Sequence, residues 1–463
     1  MLVKSLEDKL AGFSSPAAML REAQVGPNVY PGVASEFTNW RDEQRGWQDT
    51  CVLFNQSYHM ADLFIEGPDA LKLLTELGIN SFKNFKVDQA KQFVPVNYDG
   101  YVIGDVILFY LDTNKFSLVG RAPTLNWVTY HAQTGGYNVE VKLDQRWALR
   151  NDGKRIFYRY QVQGPNAMKV IEKATGAKPP ELKFFNMTVM KIGGRTVRAL
   201  RHGMAGQPGF ELFGPWEERE EVHQALVEAG RDFGMYLVGG RAYSTNTLES
   251  GWIPSPLPAV YTGEKMKAYR KWLPAAGYEG SCSLGGSFTS ANVEDYYLTP
   301  WDLGYGPFVK FDHDFIGRDA LEKKAASDHR KKVTLALNTD DVMAVIRSQF
   351  EKGQPGKYID FPSAVYSMHP FDKVTVKGST VGLSTWIGYS YSERTMLALG
   401  ILEPDFAGPG REVTLVWGEE NGGTSKPTVE RHRQMEIRAI VSPVPYAQTA
   451  RKDYAEGWRT QTA

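Results

Sequence analysis

Cysteine and net charge are what this sequence has least of. Its 463 residues include only two cysteines, Cys51 and Cys282, and neither lies in a Cys-x-x-Cys or Cys/His spacing that would hold structural zinc. So few thiols favour a reducing compartment, with a single disulfide as the alternative. The 53 Lys and Arg residues are balanced by 53 Asp and Glu residues, so the net charge is zero. Sequence-independent binding to nucleic acid is therefore not expected, because it requires a basic surface.

Long hydrophobic runs are absent as well. No stretch approaches the roughly 18 consecutive apolar residues of a membrane-spanning helix. The N-terminus carries Lys4, Glu7, Asp8 and Lys9 where a secretory signal would have an apolar core. We therefore predict a cytoplasmic protein without a membrane partner, and the sequence leaves its oligomeric state open.

Several catalytic motifs are missing too. The chain has no GxxxxGKS/T phosphate loop, no GxGxxG after a predicted strand, no HExxH zinc motif and no GxSxG nucleophile elbow. The eight histidines are scattered, and none has a second histidine at metal-ligand spacing. We therefore expect chemistry that depends on neither a nucleotide nor a metal.

Aromatic residues, by contrast, are somewhat abundant, with 11 Trp, 23 Tyr and 23 Phe. Most of them should build the core, and some are candidates to line a site for a flat organic molecule. The composition is otherwise typical of a globular enzyme, at 42% hydrophobic and 23% charged residues. The length suggests two or three domains of about 150 residues each.

One short pattern recurs along the chain. The sequences IEGPDA at residues 65–70 and VQGPNA at residues 162–167 each precede an apolar helical stretch, and residues 315–321 form a weaker third copy. Each copy predicts a strand, a glycine turn and a helix start. The two close copies favour a duplicated α+β unit over a common capping motif. From about Lys331 the chain becomes strand-rich with glycine turns, which predicts a separate β-rich domain.

Individual elements can be predicted in several places. A helix is expected between Trp216 and Phe233, because a proline precedes it, acidic residues fill its first turns and Gly234 follows it. Short runs of β-branched and aromatic residues predict strands. These runs are Asp105–Leu111, Val333–Leu337, Met396–Leu402, Val413–Trp417 and Met435–Val441.

Spaced segments along residues 50–445 together resemble the aminomethyltransferase (glycine-cleavage T-protein) family of tetrahydrofolate enzymes. Each segment is weak alone, but all of them follow the family's order. They are FNQSYHM (54–60), FIEGPDA (64–70), NYDGYVIGD (97–105), GFE (209–211), RAY (241–243), LESG (248–251), LGYGPFV (303–309) and DFIGRDAL (314–321). Two departures speak against glycine cleavage itself. The family's paired acids are reduced to Gly104-Asp105, and its Ala-Arg-Asp is replaced by Arg241-Ala242-Tyr243.

The wider sequence is similar to one bacterial branch, the tetrahydrofolate-dependent aryl-ether O-demethylases that act on vanillate and syringate. The shared segments are NVYP (28–31), VGRAP (119–123), YHAQTGGYN (130–138), TLESGWIPSPLP (247–258) and WGEENGGT (417–424). The resemblance implies transfer of a methyl group from a methoxybenzoate to N5 of tetrahydrofolate. The products would be 5-methyltetrahydrofolate and a hydroxylated aromatic acid, in the breakdown of lignin aromatics. Syringate is favoured as the substrate, with vanillate and 3-O-methylgallate as the other candidates.

The same resemblance implies an α+β fold built as a ring of three domains. Two are pseudo-related α/β domains, and the C-terminal one is a β-barrel or jelly-roll-like domain. The expected limits are residues 1–60 with 155–240 for the first, folate-binding domain, 61–154 with 241–330 for the second, and 331–463 for the third. The alternatives on this scaffold are an aminomethyltransferase, a demethylase of a sulfonium such as dimethylsulfoniopropionate or of a methylamine, and a non-catalytic folate-binding protein.

Tyr243 is the predicted general acid. Cleavage of an aryl methyl ether releases a phenolate, which is a poor leaving group unless its oxygen is protonated. A tyrosine with a pKa of about 10 has matching basicity; an ordinary half-buried tyrosine is the alternative. The resemblance places Tyr30 beside Tyr243 as a hydrogen-bond partner and as a further substrate contact, and His59 against the carboxylate or ring hydroxyl of the aromatic acid. Whether Tyr243 or His59 donates the proton stays open.

Arg121 is predicted to anchor the substrate carboxylate, since a guanidinium offers two parallel donors and stays charged. A surface arginine is the alternative. Glu211 stands amid apolar strand residues and needs donors if it is buried. The resemblance assigns it to the N–H groups of the pterin, with a salt bridge to Arg201 or Arg241 as the alternative. Asp105 is given a supporting role. The other cofactor contacts that the resemblance implies are Trp252, Phe185, Gln161 and Val119.

Overall fold

The computed structural model describes residues 4–27, 30–146, 149, 152–254 and 256–461. Asn28, Val29 and Ser255 belong to two of the segments quoted above and lie outside the described residues. Within these limits the chain forms two sheets, a closed barrel and a short two-stranded sheet.

The strands in the described part of the chain are β1 (Cys51–Asn55), β2 (Ala61–Glu66), β3 (Ala90–Phe93), β4 (Val106–Asp112), β5 (Lys115–Gly120), β6 (Glu140–Asp144), β7 (Phe157–Gln163), β8 (Met187–Ile192), β9 (Arg195–Arg201), β10 (Gly209–Pro215), β11 (Met235–Val238), β12 (Leu284–Gly285), β13 (Lys331–Leu337), β14 (His369–Pro370), β15 (Asp372–Val376), β16 (Ser379–Ser390), β17 (Thr395–Leu402), β18 (Glu412–Trp417) and β19 (Met435–Ser442).

The α-helices are α1 (Leu6–Leu10), α2 (Pro16–Glu22), α3 (Trp40–Asp49), α4 (Ala70–Leu77), α5 (Ala122–Thr134), α6 (Ala167–Thr175), α7 (Arg219–Gly230), α8 (Gly240–Tyr243), α9 (Asn246–Ser250), α10 (Lys267–Trp272), α11 (Tyr278–Ser281), α12 (Arg318–Ala325) and α13 (Thr339–Arg347). A π-helix follows at Thr449–Trp458, near the C-terminus.

The first sheet lies between a pair of helices and the second sheet. Its strand order is β11-β1-β7-β10-β9-β8, in which only β1 and β11 run parallel. Apolar side chains of α6 and α7, such as Ile171 and Leu226, pack onto one face. On the other face, Leu200 and Phe213 meet Phe109 of the second sheet. Polar strand residues on this inner face therefore point into the space between the two sheets.

The second sheet repeats the topology of the first. Its order is β3-β4-β5-β2-β6, with all neighbours antiparallel. Read in the opposite direction, the first sheet has β8, β9, β10, β7 and β11 in the places of β3, β4, β5, β2 and β6. Its additional strand, β1, is inserted between β7 and β11. Helices α4 and α5 cover the outer face through residues such as Leu74 and Val128. The predicted duplication of an α+β unit is therefore confirmed.

Gly67 and Gly164 explain why the Gly-Pro pattern recurs in the two units. Their φ angles are 144° and 127°. A Cβ atom would lie 2.4 Å from the Asn138 carbonyl oxygen at Gly67, and 2.7 Å from the Cα of Cys51 at Gly164. Only glycine fits both the space and the backbone angle. The turns lead into α4 and α6, as the pattern predicted.

The C-terminal third is a closed barrel in the order β13-β17-β16-β15-β18-β19. Its core contains Leu335, Val374, Leu415 and Ile437. The five predicted strands correspond to β4, β13, β17, β18 and β19. The expected helix after Pro215 is present as α7 with a 3₁₀ turn at each end. The α+β fold and the C-terminal β-domain are thus confirmed, while the residue limits of the three domains stay a prediction.

Among the described residues, no helix combines the length and the apolar character needed to cross a bilayer.

Candidate active site

Three predicted residues meet at one place between the units. Tyr243 ends α8, His59 lies in the loop between β1 and β2, and Tyr30 belongs to the N-terminal segment. The Tyr243 hydroxyl oxygen and His59 Nε2 are 2.7 Å apart. The rings of Tyr30 and Tyr243 stack with their centroids 4.1 Å apart, and the Tyr30 centroid is 4.6 Å from that of His59. The structure therefore brings together Tyr30, His59 and Tyr243.

Tyr30 supports Tyr243 in a different way from the one predicted. Its hydroxyl donates to the backbone carbonyl of Asn55 and not to Tyr243. The reason is the stacking, which puts the ring face of Tyr30 against Tyr243 and directs its hydroxyl to the end of β1. Backbone hydrogen bonds from Gly240 to Ala34, 2.9 Å long, and from the next residue to Ser35 tie α8 to the N-terminal segment. The stacked pair is thus held by the main chain on both sides.

Burial makes the Tyr243–His59 pair electrically neutral. Burial and the positive charges of Arg121 and Arg146 lower the pKa of His59 to about 3, so its imidazole is uncharged at neutral pH. Burial also raises the pKa of Tyr243 well above that of a free tyrosine, so the hydroxyl keeps its hydrogen. The pair is therefore a neutral phenol joined to a neutral imidazole. Such a pair can give a proton to an oxygen that becomes basic during a reaction.

Arg121 and Arg146 add two positive charges beside this pair. Arg121 directly precedes α5 and is half-buried, and Arg146 follows β6. The Nε atom of Arg146 is buried without a hydrogen-bond partner. Burial and the charge of Arg121 lower the pKa of Arg146. In the described part of the chain neither guanidinium forms a salt bridge with a carboxylate. Two neighbouring cations without a counterion favour the binding of an anion such as a carboxylate.

Glu211 on β10 is 4% exposed and pairs with Arg159 of β7, with 2.9 Å between Oε1 and Nη1. The alternative pairing with Arg201 or Arg241 is wrong. Arg201 is in register with the residue before Glu211, so it faces the other side of the sheet, where it donates to carbonyls near the C-terminus. Arg241 pairs with Glu36 at the surface.

Gln161 lies directly opposite Glu211 in the register of β7 and β10. Its Nε2 donates to the His202 carbonyl at 2.7 Å, while its Oε1 is buried without a partner. The second carboxylate oxygen of Glu211 is 3.6 Å from His202 Nδ1. Burial raises the pKa of Glu211, but His202 and Arg159 together hold it below its ordinary value, so the carboxylate is charged. An amide oxygen and a carboxylate side by side can receive a ligand with adjacent N–H donors.

Val119 and Phe185 belong to one apolar cluster between the two sheets, together with Met187. Phe185 has a φ of 61°, a left-handed conformation that bulky residues rarely adopt. Its N–H donates to the Arg201 carbonyl at 3.0 Å, and its own carbonyl accepts from the Ala90 N–H at 2.7 Å. The backbone is therefore fixed on both sides of a strained residue. Such strain is concentrated at ligand-binding and catalytic sites.

Trp252 belongs to a separate polar group around Asp105. The indole N–H lies 2.9 Å from both Asp105 Oδ2 and the Tyr305 hydroxyl, and that hydroxyl donates to the same carboxylate oxygen at 2.8 Å. Gln92 supplies a further donor to it. Burial raises the pKa of Asp105, against the opposing effect of these donors and of Lys332. Asp105 therefore fixes the edge of the Trp252 ring, consistent with a supporting role.

Sequence reasoning missed several of these groups, among them Arg146, Arg159 and Tyr305. Strand β7 reads FYRYQVQ, so Arg159, Gln161 and Gln163 alternate with apolar residues. That alternation places them on one face of the strand and could have identified Arg159. For Arg146 the sequence has no comparable signal, since its position beside His59 arises from where β6 ends.

Cys51 and Cys282 are both buried and free, so the alternative of a disulfide is wrong. Burial raises the pKa of Cys51 to about 12. No group of three or more His, Cys, Asp or Glu side chains placed to hold a metal occurs among the described residues.

Comparison with known proteins identifies the family of this chain. The family model described as the GCVT N-terminal domain matches residues 15–255, slightly more than half of the chain. A syringate O-demethylase from Sphingobium sp. is 58% identical over 462 residues, which cover 100% of both chains. A sesamin methylene transferase from Sinomonas sp. is 30% identical, with 82% of each chain covered. An aminomethyltransferase from Halothermothrix orenii is 27% identical, over 82% of this chain and 88% of the relative.

A solved structure also shares the fold. The crystal structure of the glycine cleavage system aminomethyltransferase T from Bartonella henselae superposes with a TM-score of 0.61 at 19% identity. The match covers 94% of this chain and 98% of that one. At this identity the likeness concerns the fold alone, and it extends the evidence from the N-terminal half to nearly the whole chain. The protein therefore belongs to the aminomethyltransferase family that carries the GCVT N-terminal domain.

Proposed function

We propose that this protein is a tetrahydrofolate-dependent O-demethylase that moves the methyl group of a methoxybenzoate, syringate first of all, to N5 of tetrahydrofolate. The products are 5-methyltetrahydrofolate and a hydroxylated aromatic acid. The observation that carries the proposal is the neutral Tyr243–His59 pair beside two arginines without a counterion. The full-length similarity to a syringate O-demethylase supports it.

Tyr243 supplies the proton that the reaction requires. When the methyl–oxygen bond of an aryl ether breaks, the leaving oxygen becomes basic and needs a donor. A free tyrosine and a free phenolate have similar pKa values, whereas burial raises the pKa of Tyr243. The match holds because the leaving phenolate sits in the same dry surroundings, which raise its pKa as well. His59 keeps the phenol oriented through the 2.7 Å contact.

Arg121 and Arg146 hold the carboxylate of the aromatic acid. Their positive charges disfavour the alternative of a sulfonium or methylamine substrate, because a cation would be repelled here. When such a substrate loses its methyl group, the remaining thioether or amine is neutral, so the reaction needs no general acid. The non-catalytic alternative is disfavoured in turn: relatives of that kind typically centre on a reactive cysteine, whereas both cysteines here are buried and burial raises the pKa of both thiols. An aminomethyltransferase is disfavoured because Tyr243 stands where that reaction's acid would be.

The residues at the inner face of the first sheet fit a pterin. Its ring presents adjacent N–H and NH₂ donors, which match the unpartnered Oε1 of Gln161 and the charged Glu211. Val119 and Phe185 offer an apolar wall for the ring, and Trp252 offers a flat surface whose edge is fixed by Asp105. When bound, tetrahydrofolate supplies the nitrogen that accepts the methyl group. The chain's own part is to orient the two ligands and to exclude water.

A substrate panel tests the function directly. The purified protein is incubated with syringate, vanillate or 3-O-methylgallate, with and without tetrahydrofolate, and both products are quantified by mass spectrometry. We expect equal amounts of demethylated acid and 5-methyltetrahydrofolate, with the highest rate on syringate. The methyl ester of syringate, which lacks the carboxylate, serves as the matched control and should react poorly. Demethylation at full rate without tetrahydrofolate would refute the proposal, as would no reaction with it.

A further inference from the structure

A buried chain of charged side chains connects the His59 loop with Glu211. Asp144 Oδ2 lies 3.0 Å from Arg155 Nε, and Arg155 Nη2 lies 2.8 Å from Asp62 Oδ2. The other Asp62 oxygen is 2.5 Å from Arg159 Nη2, and Arg159 pairs with Glu211. Every side chain in this chain is at most 6% exposed. Ion pairs so fully removed from water are strong only when the geometry is well matched, so they constrain their surroundings.

Arg155 is the member of this chain that reaches the His59 loop. Its Nη1 donates to the Ser57 carbonyl at 2.7 Å and to the Met60 carbonyl at 2.9 Å. These carbonyls lie two residues before and one residue after His59. Two other nitrogens of the same guanidinium are engaged by Asp62 and by Asp144. The planar fork of arginine is needed to reach all four acceptors at once.

The His59 side chain cannot hold this position by itself. Its Nε2 faces the Tyr243 hydroxyl, and its Nδ1 is buried without a well-formed hydrogen bond. The loop also spans the gap between β1 of the first sheet and β2 of the second. The position of the imidazole therefore depends on how the backbone on either side of it is fixed.

We propose that Arg155 is a positioning residue for the reaction: by donating hydrogen bonds to the Ser57 and Met60 carbonyls, it holds His59 against Tyr243. This inference rests on the proposed function only as far as turnover is concerned. The placement of His59 can be measured without it. The main chain of Arg159 also bonds to Gln56 and Ser57 at the start of this loop, but its side chain pairs with Asp62 and Glu211 and serves the folate side instead.

The test compares Arg155→Lys with Arg270→Lys. Arg270 is similarly buried, pairs with Glu7 and donates to backbone carbonyls, including that of Thr262 at 2.8 Å, so it is a matched control away from the site. Lysine keeps the positive charge in both variants but lacks the planar set of N–H donors of the guanidinium. We expect kcat on syringate to fall at least about tenfold in Arg155→Lys, because misplacement by about 1 Å costs that much or more. The affinity for tetrahydrofolate should change less than about threefold, and Arg270→Lys should lower Tm without changing kcat.

A second readout does not require activity. In protein labelled with ¹³C-histidine, the His59 signal is identified by its loss in His59→Asn. In the wild type it should stay neutral from pH 8 to pH 5. In Arg155→Lys, access to water should let it titrate within this range, toward the free value of about 6.5. Asp144→Asn, an isosteric change that loosens Arg155, should move the signal in the same direction and keeps the test open if the lysine variant does not fold.

An unchanged kcat and an unchanged His59 titration in either folded variant would overturn the proposal and leave Arg155 as a purely structural ion. If the wild type proves inactive on every methoxybenzoate, the proposed function fails. The titration still decides the role of Arg155 in that case.

Discussion

At the scale of single residues, the proposed reaction depends most on the Tyr243 hydroxyl. Replacing Tyr243 by Phe should lower kcat by about 10²–10⁴-fold, the usual contribution of a positioned acid. The affinity for tetrahydrofolate should be kept, because Glu211 and Gln161 are untouched. Tyr30→Phe is the matched control, since it keeps the ring stack on Tyr243 and removes only the bond to the Asn55 carbonyl. Single-turnover rates of methyl transfer measure both variants, and equal losses in the two would exclude Tyr243 as the acid.

The two arginines are predicted to act on the substrate carboxylate alone. Arg121→Met or Arg146→Met should raise KM for syringate by about 10–100-fold, since a hydrogen bond to a charged group contributes about 1.5–3 kcal/mol. With the methyl ester of syringate the same substitutions should change KM far less. Removing either cation should also raise the pKa of His59, because both charges lower it. The ratio of KM values for acid and ester is the measurement, and equal changes for the two substrates would contradict the assignment.

Residue roles could be proposed only where the residue type and the family resemblance coincided, and they stay predictions. Tyr243, Arg121 and Glu211 were singled out in this way as a general acid, a carboxylate anchor and a pterin contact. Arg146 and Arg155 do not stand out, since their importance arises from the positions at which β6 ends and β7 begins. Tyr30 was correctly placed beside Tyr243, but the two rings stack and the predicted hydrogen bond between them is not formed. Stacking depends on the angle at which two segments meet, which the sequence does not reveal.

At the scale of elements, the duplicated sheet was the most predictable part of the fold. The Gly-Pro pattern marks the transition from strand to helix in both copies, and alternation along β7 marks its two faces. The insertion of β1 between β7 and β11 carries no local sequence signal, and only the family resemblance, which grouped residues 1–60 with 155–240, implied it. The π-helix at Thr449–Trp458 was not predicted either, since its position depends on contacts such as the 2.8 Å bond from Tyr454 to the Gly203 carbonyl.

The tight glycine turn before α6 yields an element-scale prediction. Gly164→Ala forces an alanine into a φ of 127° and places its Cβ 2.7 Å from the Cα of Cys51. We expect a loss of stability above about 2 kcal/mol. Gly176→Ala is the matched control at the other end of the helix, where φ is 71° and a Cβ meets no atom within 4 Å. It should cost about 1 kcal/mol. Urea unfolding midpoints compare the two, and equal shifts would mean that the close approach to Cys51 is unimportant.

At the scale of the whole molecule, the proposed folate contacts come from both sheets: the first supplies Glu211 and Gln161, and the second supplies Val119. Lys332 of β13 links the barrel to the separate group around Asp105. A chain with no net charge cannot attract anionic ligands through its overall field. The attraction must come from local cations, and the inner positions of Arg121 and Arg146 fit that requirement.

Glu249 on α9 links α3 to the barrel and should make stability depend on pH. It is 3% exposed, accepts from Ser390 of β16 at 3.2 Å and lies 3.5 Å from Gln48 of α3. Burial raises its pKa to about 7 from the ordinary 4.5. Because the folded state prefers the protonated form, stability is lost as the pH rises from 4.5 through 7, by at most ~3 kcal/mol.

Glu249→Gln should therefore raise Tm by a few degrees at pH 8 and leave it nearly unchanged at pH 4.5, where the wild-type carboxyl is already neutral. The amide oxygen of glutamine can still accept from Ser390, so the gain at pH 8 reflects the removal of a buried charge. Glu228→Gln, an exposed change on α7, controls for the loss of one negative charge and should be neutral at both pH values. Calorimetry across this pH range measures the effect. An equal Tm gain at both pH values would mean that packing, and not ionisation of Glu249, limits the stability of this junction.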